Sequence, residues 1–449
     1  MIFDRRQIMT GAAGLGAGLA ATAGPRAALA RENNAIAGVI SVADFGVRPN
    51  VKANQTEAIQ RAINTAAKSG AILHFPGGEY HTGKLILKSN TIISGVPGIS
   101  VLKLQGTDAS LVAQSAQNIR LSGLVLDGSG KSNGKTALLN ADEIADLKVV
   151  DCKISGGNTN GISLNECSGS IADNEIDAIK RTGIFCNNSA GLDISHNHIH
   201  NCGNNGIQIW RSSPGEDGTI VAHNRIDGVR AEAGGSGQYG NGINIFRADS
   251  VQITGNRITN CEFTAIRGNA ASDLQIIGNS CAWLGEVAIY AEFGFEGALI
   301  ANNLIDRAAT GISVTNFNEG GRMAVIQGNM IRNLFLRKGK RGTGIGVEAD
   351  AMVSGNMIEG APGVGIHIGW GKYLRDVNAT GNLIREARVG IGISTSADAG
   401  YAYVTNNMIS KTTEGGVRAM DHDKLLGPDL AKSSSESYRN IAVFGNVSL

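Results

Sequence analysis

A chain of 449 residues with 40 basic and 39 acidic side chains lacks the positive surplus that a polyanion such as nucleic acid would require. It also lacks an apolar stretch long enough to span a bilayer. The nearest approach, Gly11 to Ala23, is short and glycine-rich. Its six cysteines (Cys152, Cys167, Cys186, Cys202, Cys261 and Cys281) form no CxxC pair and no Cys/His spacing of the zinc type. Helical periodicity is missing from nearly the whole length. What the chain does have is glycine, 62 residues of 449, about twice the usual share, and a repeated phrase.

The phrase is Gly206-Ile207-Gln208-Ile209-Trp210. Read as a strand, it buries Ile207 and Ile209 and turns Gln208 and Trp210 outward. Eleven copies of its beat run from Gly161-Ile162 to Gly416-Val417. A second phrase, Asn-x-Ile, precedes most copies by eight or nine residues, as in Asn197-His198-Ile199 and Asn329-Met330-Ile331. Successive asparagines lie mostly 23 to 27 residues apart. That period means stacked coils, none able to bury its apolar face alone. The segments are short, β-branched and glycine-punctuated, so they are strands. Three strands per turn with apolar residues inside describe an all-β, single-stranded parallel β-helix, expected from about Lys84 to Asn446. Each repeated Asn is expected at a left-handed corner, hydrogen-bonded to the Asn of the next coil.

Ahead of the repeats, residues 1–30 read as an export segment: Arg5-Arg6, a weakly apolar run, and Ala28-Leu29-Ala30 as a cleavage site. The pattern resembles a twin-arginine signal, with Thr10 where a lysine is usual; a plain Sec signal is the alternative. The mature protein, residues 31–449, is then periplasmic or secreted. Its partners include the twin-arginine export machinery for the precursor, and no stable membrane insertion after cleavage. Export of an already folded chain implies that the cysteines are mostly free, buried thiols, with Cys186 and Cys281 pointing inward.

Residues 38–105 form the N-terminal cap and first coils, 106–418 the regular coils and 419–449 a C-terminal segment. From Thr56 to Lys68 the apolar residues follow helical spacing, with Gly70 as a stop. One helix there caps the open end of the stack. The run Val42-Ala43-Asp44-Phe45-Gly46, this helix and Phe75-Pro76-Gly77-Gly78-Glu79-Tyr80 resemble the start of pectate-lyase-like right-handed β-helix proteins. The acidic D-G-x-x-D-D stretch usual there is replaced by Arg48 to Thr56, so no role for those acids carries over. The whole chain is also similar to a bacterial family of twin-arginine-exported β-helix repeat proteins without assigned activity. The resemblance implies a right-handed helix and, in its enzymes, a substrate across the outer face of one stacked sheet.

Alternation allows that face to be read. The outward positions of the middle coils collect Gln208, Trp210, Asn244, Phe246, Arg267, Asn269, Tyr290 and Glu292, followed by Glu348 and His367. Aromatic rings beside fixed amides and charges suit a sugar, which offers both C–H faces and hydroxyls. Two insertions flank the face: Val229 to Asn241, and Leu334 to Gly342 with the basic cluster Arg337, Lys338, Lys340 and Arg341. Such a cluster suits an anionic polysaccharide.

The pattern therefore points to a uronate polysaccharide lyase or epimerase. Arg267 would neutralise the carboxylate or act as base, and Tyr290 would relay a proton. Glu292 and Glu348, two coils apart in one column, also allow a glycoside hydrolase. A non-catalytic glycan-binding protein and a purely structural solenoid remain open alternatives. The residues name no cofactor. His196, His198 and His200 alternate on what reads as one strand face, but no partner ligands are spaced for a metal.

Overall fold

Because each repeat turns its isoleucines to one side, a single coil exposes an apolar strip that only the coil above and below can cover. The computed structural model describes residues 38–106, 108, 110–128, 136–235 and 237–449. They form an all-β, right-handed parallel β-helix with three sheets along its length. One sheet carries the Gly-Ile phrases, for example Thr182–Asn187, Asn205–Glu216, Asn241–Asp249 and Ile266–Asn269. A corner leads to the second, with Leu192–Ser195, Ile220–Ala222 and Gln252–Thr254. The third starts at Asn-x-Ile, with His198–Cys202, Arg225–Val229 and Arg257–Cys261. The export segment proposed for residues 1–30 lies outside the described residues.

Register is strict. Ile184, Ile207, Ile243, Ile266, Ile289 and Ile312 are successive partners, continued by Ile345, Ile366 and Ile391. All are fully buried. At the corner between the second and third sheets, asparagine side chains replace the apolar stack. Asn303 accepts at Oδ1 from the backbone N–H (2.9 Å) and the Nδ2 (3.0 Å) of Asn279. Its own Nδ2 donates to Ile276 O and to Asn329 Oδ1. The same pattern runs from Asn174 to Asn446, closing the backbone donors and acceptors of a sharp turn.

Three expectations are corrected. The left-handed residue is the one before each ladder asparagine: Asn302 (φ 57), Gly328 (φ 63) and Gly355 (φ 64). The ladder residue itself stays in an ordinary conformation, free to aim its amide along the stack. For the same reason His196 (φ 56) sits on this corner, its ring 5.2 Å from that of His223. Only His198 and His200 share a strand face. The stack also begins at Val39–Ser41, not near Lys84, because that strand pairs with Ile72–Phe75, which pairs with Ile92–Gly95. Between them the helix Thr56–Ser69 buries Ile59, Ala62, Ile63 and Ala66 over the open end and stops at left-handed Gly70. At the other end Val417–Asp421 and Lys424–Asp429 form an antiparallel pair, after which Ile441–Phe444 and Val447–Ser448 rejoin the stack. All six cysteines are free and buried; burial pushes the Cys202 thiol up to about 12. Among the described residues no helix is long and apolar enough to cross a membrane.

Two outcomes test this architecture. Ile289→Asp buries an unpaired charge in the stack and should cost at least about 3 kcal/mol, whereas Ser313→Ala on the outer column should cost under about 0.5 kcal/mol. Equal denaturation midpoints would refute the strand phase. Asn303→Leu strips Asn279 of its acceptor and should cost about 2–4 kcal/mol, a loss read by urea unfolding; a neutral result would show the ladder to be dispensable.

Candidate functional site

The outer face of the Gly-Ile sheet is not an open, solvated surface, as alternation alone would have it. Gln208, Asn244, Arg267, Glu292 and His367 all point outward and yet are buried. Their cover is the two insertions. Val229 to Asn241 folds back so that Gly237 rests on the Arg267 guanidinium; a Cβ there would stand 1.9 Å from Nη1. The loop is pinned by Asn241 Nδ2 donating to Gly237 O (2.9 Å) and Asn205 Nδ2 donating to Gln238 O (3.0 Å). Arg267 is consequently only 8% exposed.

Beneath that loop the charges alternate. Arg267 donates to Glu292 Oε1 from Nε and Nη2, each at 2.6 Å, while Asn269 Nδ2 reaches the same oxygen at 2.9 Å. On its other side Arg267 Nη1 lies 3.5 Å from Glu286 Oε2. Glu286 Oε1 in turn holds Lys340 Nζ of the second insertion at 2.6 Å. The Arg267 guanidinium also stands over the Tyr290 ring at 5.2 Å. Burial, with Glu292 next in importance, pushes the Tyr290 phenol up to about 12.

The outer face is thereby divided into two cavities. The first encloses about 380 Å³ between Trp210, Asn244, Phe246, Arg267, Asn269 and Phe293. Trp210 Nε1 donates to Asn244 Oδ1 (2.8 Å) and its ring packs against Phe246, 5.6 Å between centroids. Gln208 lies behind it and accepts from the Thr182 hydroxyl. The second cavity, about 240 Å³, is lined by Tyr290, Ser313, Gly346, Glu348, His367 and Trp370, with Lys340 and Arg341 at its rim. Its floor exists because of Gly346, which lies in register between Ser313 and His367. A Cβ at Gly346 would meet nothing within 4 Å.

In this second cavity the chemistry is less neutralised. His367 Nε2 is buried without a hydrogen-bond partner, and burial pushes the imidazole down to about 4. Burial raises the Glu348 carboxyl, although Glu348 Oε2 accepts from the Phe317 backbone N–H at 2.7 Å. Arg341 stacks on Trp370 at 4.3 Å and donates its Nε to Asp423 Oδ2 at 2.6 Å.

Of the basic cluster, Arg337 instead ties the loop down through Glu262 O and Gly285 O, and Lys338 is exposed and lines neither cavity. Arg267 does not face solvent as alternation predicts, because the first insertion lies on it. Glu292 is likewise committed to Arg267 and Asn269, which leaves a Glu292–Glu348 hydrolytic pair without one free member. Glu286 and Trp370 escape sequence reasoning because Glu286 sits at a register break within Ser280–Glu292 and Trp370 in the turn after Met357–Ile368, outside the alternating columns. Among the described residues no cluster of His, Cys, Asp and Glu has the geometry to hold a metal.

With this geometry in hand, the relatives become informative. Residues 215–384 match the right-handed β-helix region. Alginate lyase 7 of Azotobacter vinelandii is 35% identical over 107 residues, 20% of this chain and 12% of that protein. The chain therefore matches only a small part of that relative. Two solved structures of bacteriophage phi29 gene product 12 share the fold. The pre-mature protein has a TM-score of 0.51 at 16% identity, covering 91% of this chain and 66% of that one. Its N-terminal fragment has 0.52 at 15% identity, covering 91% and 70%. The family described as rhamnogalacturonase A/epimerase, pectate lyase-like, matches residues 39–267, just over half of the sequence. The chain belongs to this pectate-lyase-like, rhamnogalacturonase A/epimerase family.

Proposed function

We propose that the protein acts on an acidic polysaccharide as a uronate lyase or epimerase, with the reacting sugar in the cavity over Gly346. The observation that carries the reading is His367: its Nε2 is buried without a hydrogen-bond partner beside a cavity rimmed by two cations, and burial pushes the imidazole down to about 4. Removing the proton next to a carboxylate needs a base that is unprotonated at neutral pH and a cation to stabilise the charge that develops. Lys340 and Arg341 supply the cations. A bound carboxylate beside His367 favours the imidazolium, which moves its pKa up toward the working range.

In elimination, the C5 proton passes to His367, its electron pair forms the C4–C5 double bond and the C4–O bond breaks. The leaving oxygen takes a proton from Glu348, whose raised pKa suits a donor, or from Tyr290. In epimerisation the same carbanion is reprotonated on its other face. Arg267 and Glu292 then serve to position Tyr290, and Trp210 with Phe246 stacks a neighbouring sugar. Support also comes from the family description, which names an epimerase, and from the alginate lyase likeness. The Arg5-Arg6 segment would place the protein outside the cytoplasm, where such polymers occur.

The test is incubation with alginate and pectate, following absorbance of the unsaturated uronate and proton exchange at C5. Turnover with either readout is expected, falling at least about a hundredfold in His367→Asn. Binding without either signal would replace catalysis by glycan capture.

A second outcome checks the neutral state of His367 directly. Its pKa falls from 6.5 to about 4 on folding. The resulting stability is full above about pH 6.5 and is lost as pH drops through about 4, on the order of 3 kcal/mol. His367→Asn should lack this acid-side loss in pH-dependent unfolding; identical profiles would mean that the ring titrates normally.

A further inference from the structure

The third sheet ends at a sharp corner, and its corner residues form a column with left-handed backbone. Asn201 (φ 54), Gly228 (φ 68), Asn260 (φ 54) and Asn333 (φ 54) are the residue types that tolerate this conformation. Trp283 (φ 60) stands in the same column, between Asn260 and Arg307. Arg307 (φ 59), Glu386 (φ 58) and Lys411 (φ 52) of the same column share this conformation, so what sets Trp283 apart is its ring. The ring is not buried, since Trp283 is 55% exposed. The Arg307 guanidinium stacks on it at 4.4 Å, a contact of the weak, exposed kind that stabilises little.

Around the indole lies a cavity of about 530 Å³, lined among others by Asn201, Asp227, Asn260, Phe335 and Arg337. Asp227 accepts from Asn260 Nδ2 at 2.7 Å, so the polar groups beside the ring are held in place. An aromatic face flanked by fixed amides, a carboxylate and an arginine matches a charged sugar ring, with its C–H face on the indole. The Leu334 to Gly342 loop joins this corner to the reacting cavity: Arg337 lines the one, Lys340 and Arg341 the other.

We infer that the Trp283 corner is a second sugar-binding surface, which takes a flanking residue of the same acidic polysaccharide beyond the loop. The inference rests on the polysaccharide reading above for the identity of the ligand. Trp283 contacts that flanking sugar and takes no part in the reaction. It makes affinity depend on chain length, because a polymer can occupy the reacting cavity and the corner together.

Wild type, Trp283→Asn and Lys340→Ala would be titrated by calorimetry with alginate and polygalacturonate, each as polymer and as trisaccharide. Asn tolerates the left-handed backbone, so Trp283→Asn should fold with no fall in melting temperature. It should bind polymer about tenfold more weakly, the scale of one sugar–aromatic contact, and trisaccharide as wild type does. Lys340→Ala should weaken both. If Trp283→Asn matches wild type on polymer while Lys340→Ala is weakened, the corner is not a sugar surface and the proposed function stands. Loss in Trp283→Asn with none in Lys340→Ala would uphold the corner and count against the reacting cavity. Absence of binding by wild type to either polymer would overturn both.

Discussion

Strict parallel register is the constraint from which the rest of this structure follows. With one isoleucine stacked on the next along the Gly-Ile sheet, each outward residue is fixed to a column and to a height along the axis. Arg267 meets Tyr290 because their strand neighbours Ile266 and Ile289 are partners inside. Slipping either strand by a single residue would send its outward side chain into the core and bring its isoleucine out. The apolar stack and the asparagine ladder thus act together: the first fixes the phase, and the second fixes the turn at which every coil restarts.

Such a scaffold is monotonous, and function enters where the repeat is interrupted. The two insertions divide the sheet face into two cavities, and each is held down by a few specific contacts. Gly237 can lie on Arg267 because it has no side chain, and Lys340 reaches down to Glu286. Gly346 opens the second chamber by omission: its column neighbours Ser313 and His367 carry side chains, and it leaves a gap between them. Glycine therefore has two uses here, close approach in one place and vacancy in another.

The fold was almost wholly legible from the residues, because period-2 alternation inside a fixed repeat leaves little choice of phase. The isoleucine stack, the asparagine ladder and the capping helix all follow from spacing. Burial on the outer face did not follow, because alternation reports which way a side chain points and says nothing of what a distant loop lays over it. Gln208, Arg267 and Glu292 were read as outward, which they are, and as open, which they are not. The role inferred for Trp283 is hidden from the sequence for a related reason. It lies at a corner, where neither inward nor outward alternation applies, and its exposed ring is what sets it apart.

The buried charges explain why the two chambers stay apart. Lys340, Glu286, Arg267 and Glu292 alternate in sign, so the row is neutral overall while each member loses most of its hydration. Ions so placed persist because each has a partner, and removing one strands its neighbours. Without Arg267, Glu292 would keep only Asn269, and Glu286 would keep Lys340 and Thr264. Two carboxylates would then share a space that has lost its guanidinium, and the loop seated on it through Gly237 would lose its support. Loss of turnover in such a variant reports the clamp that divides the face. His367 belongs to no ion pair, so under the proposed function its replacement would report on the reaction and not on the clamp.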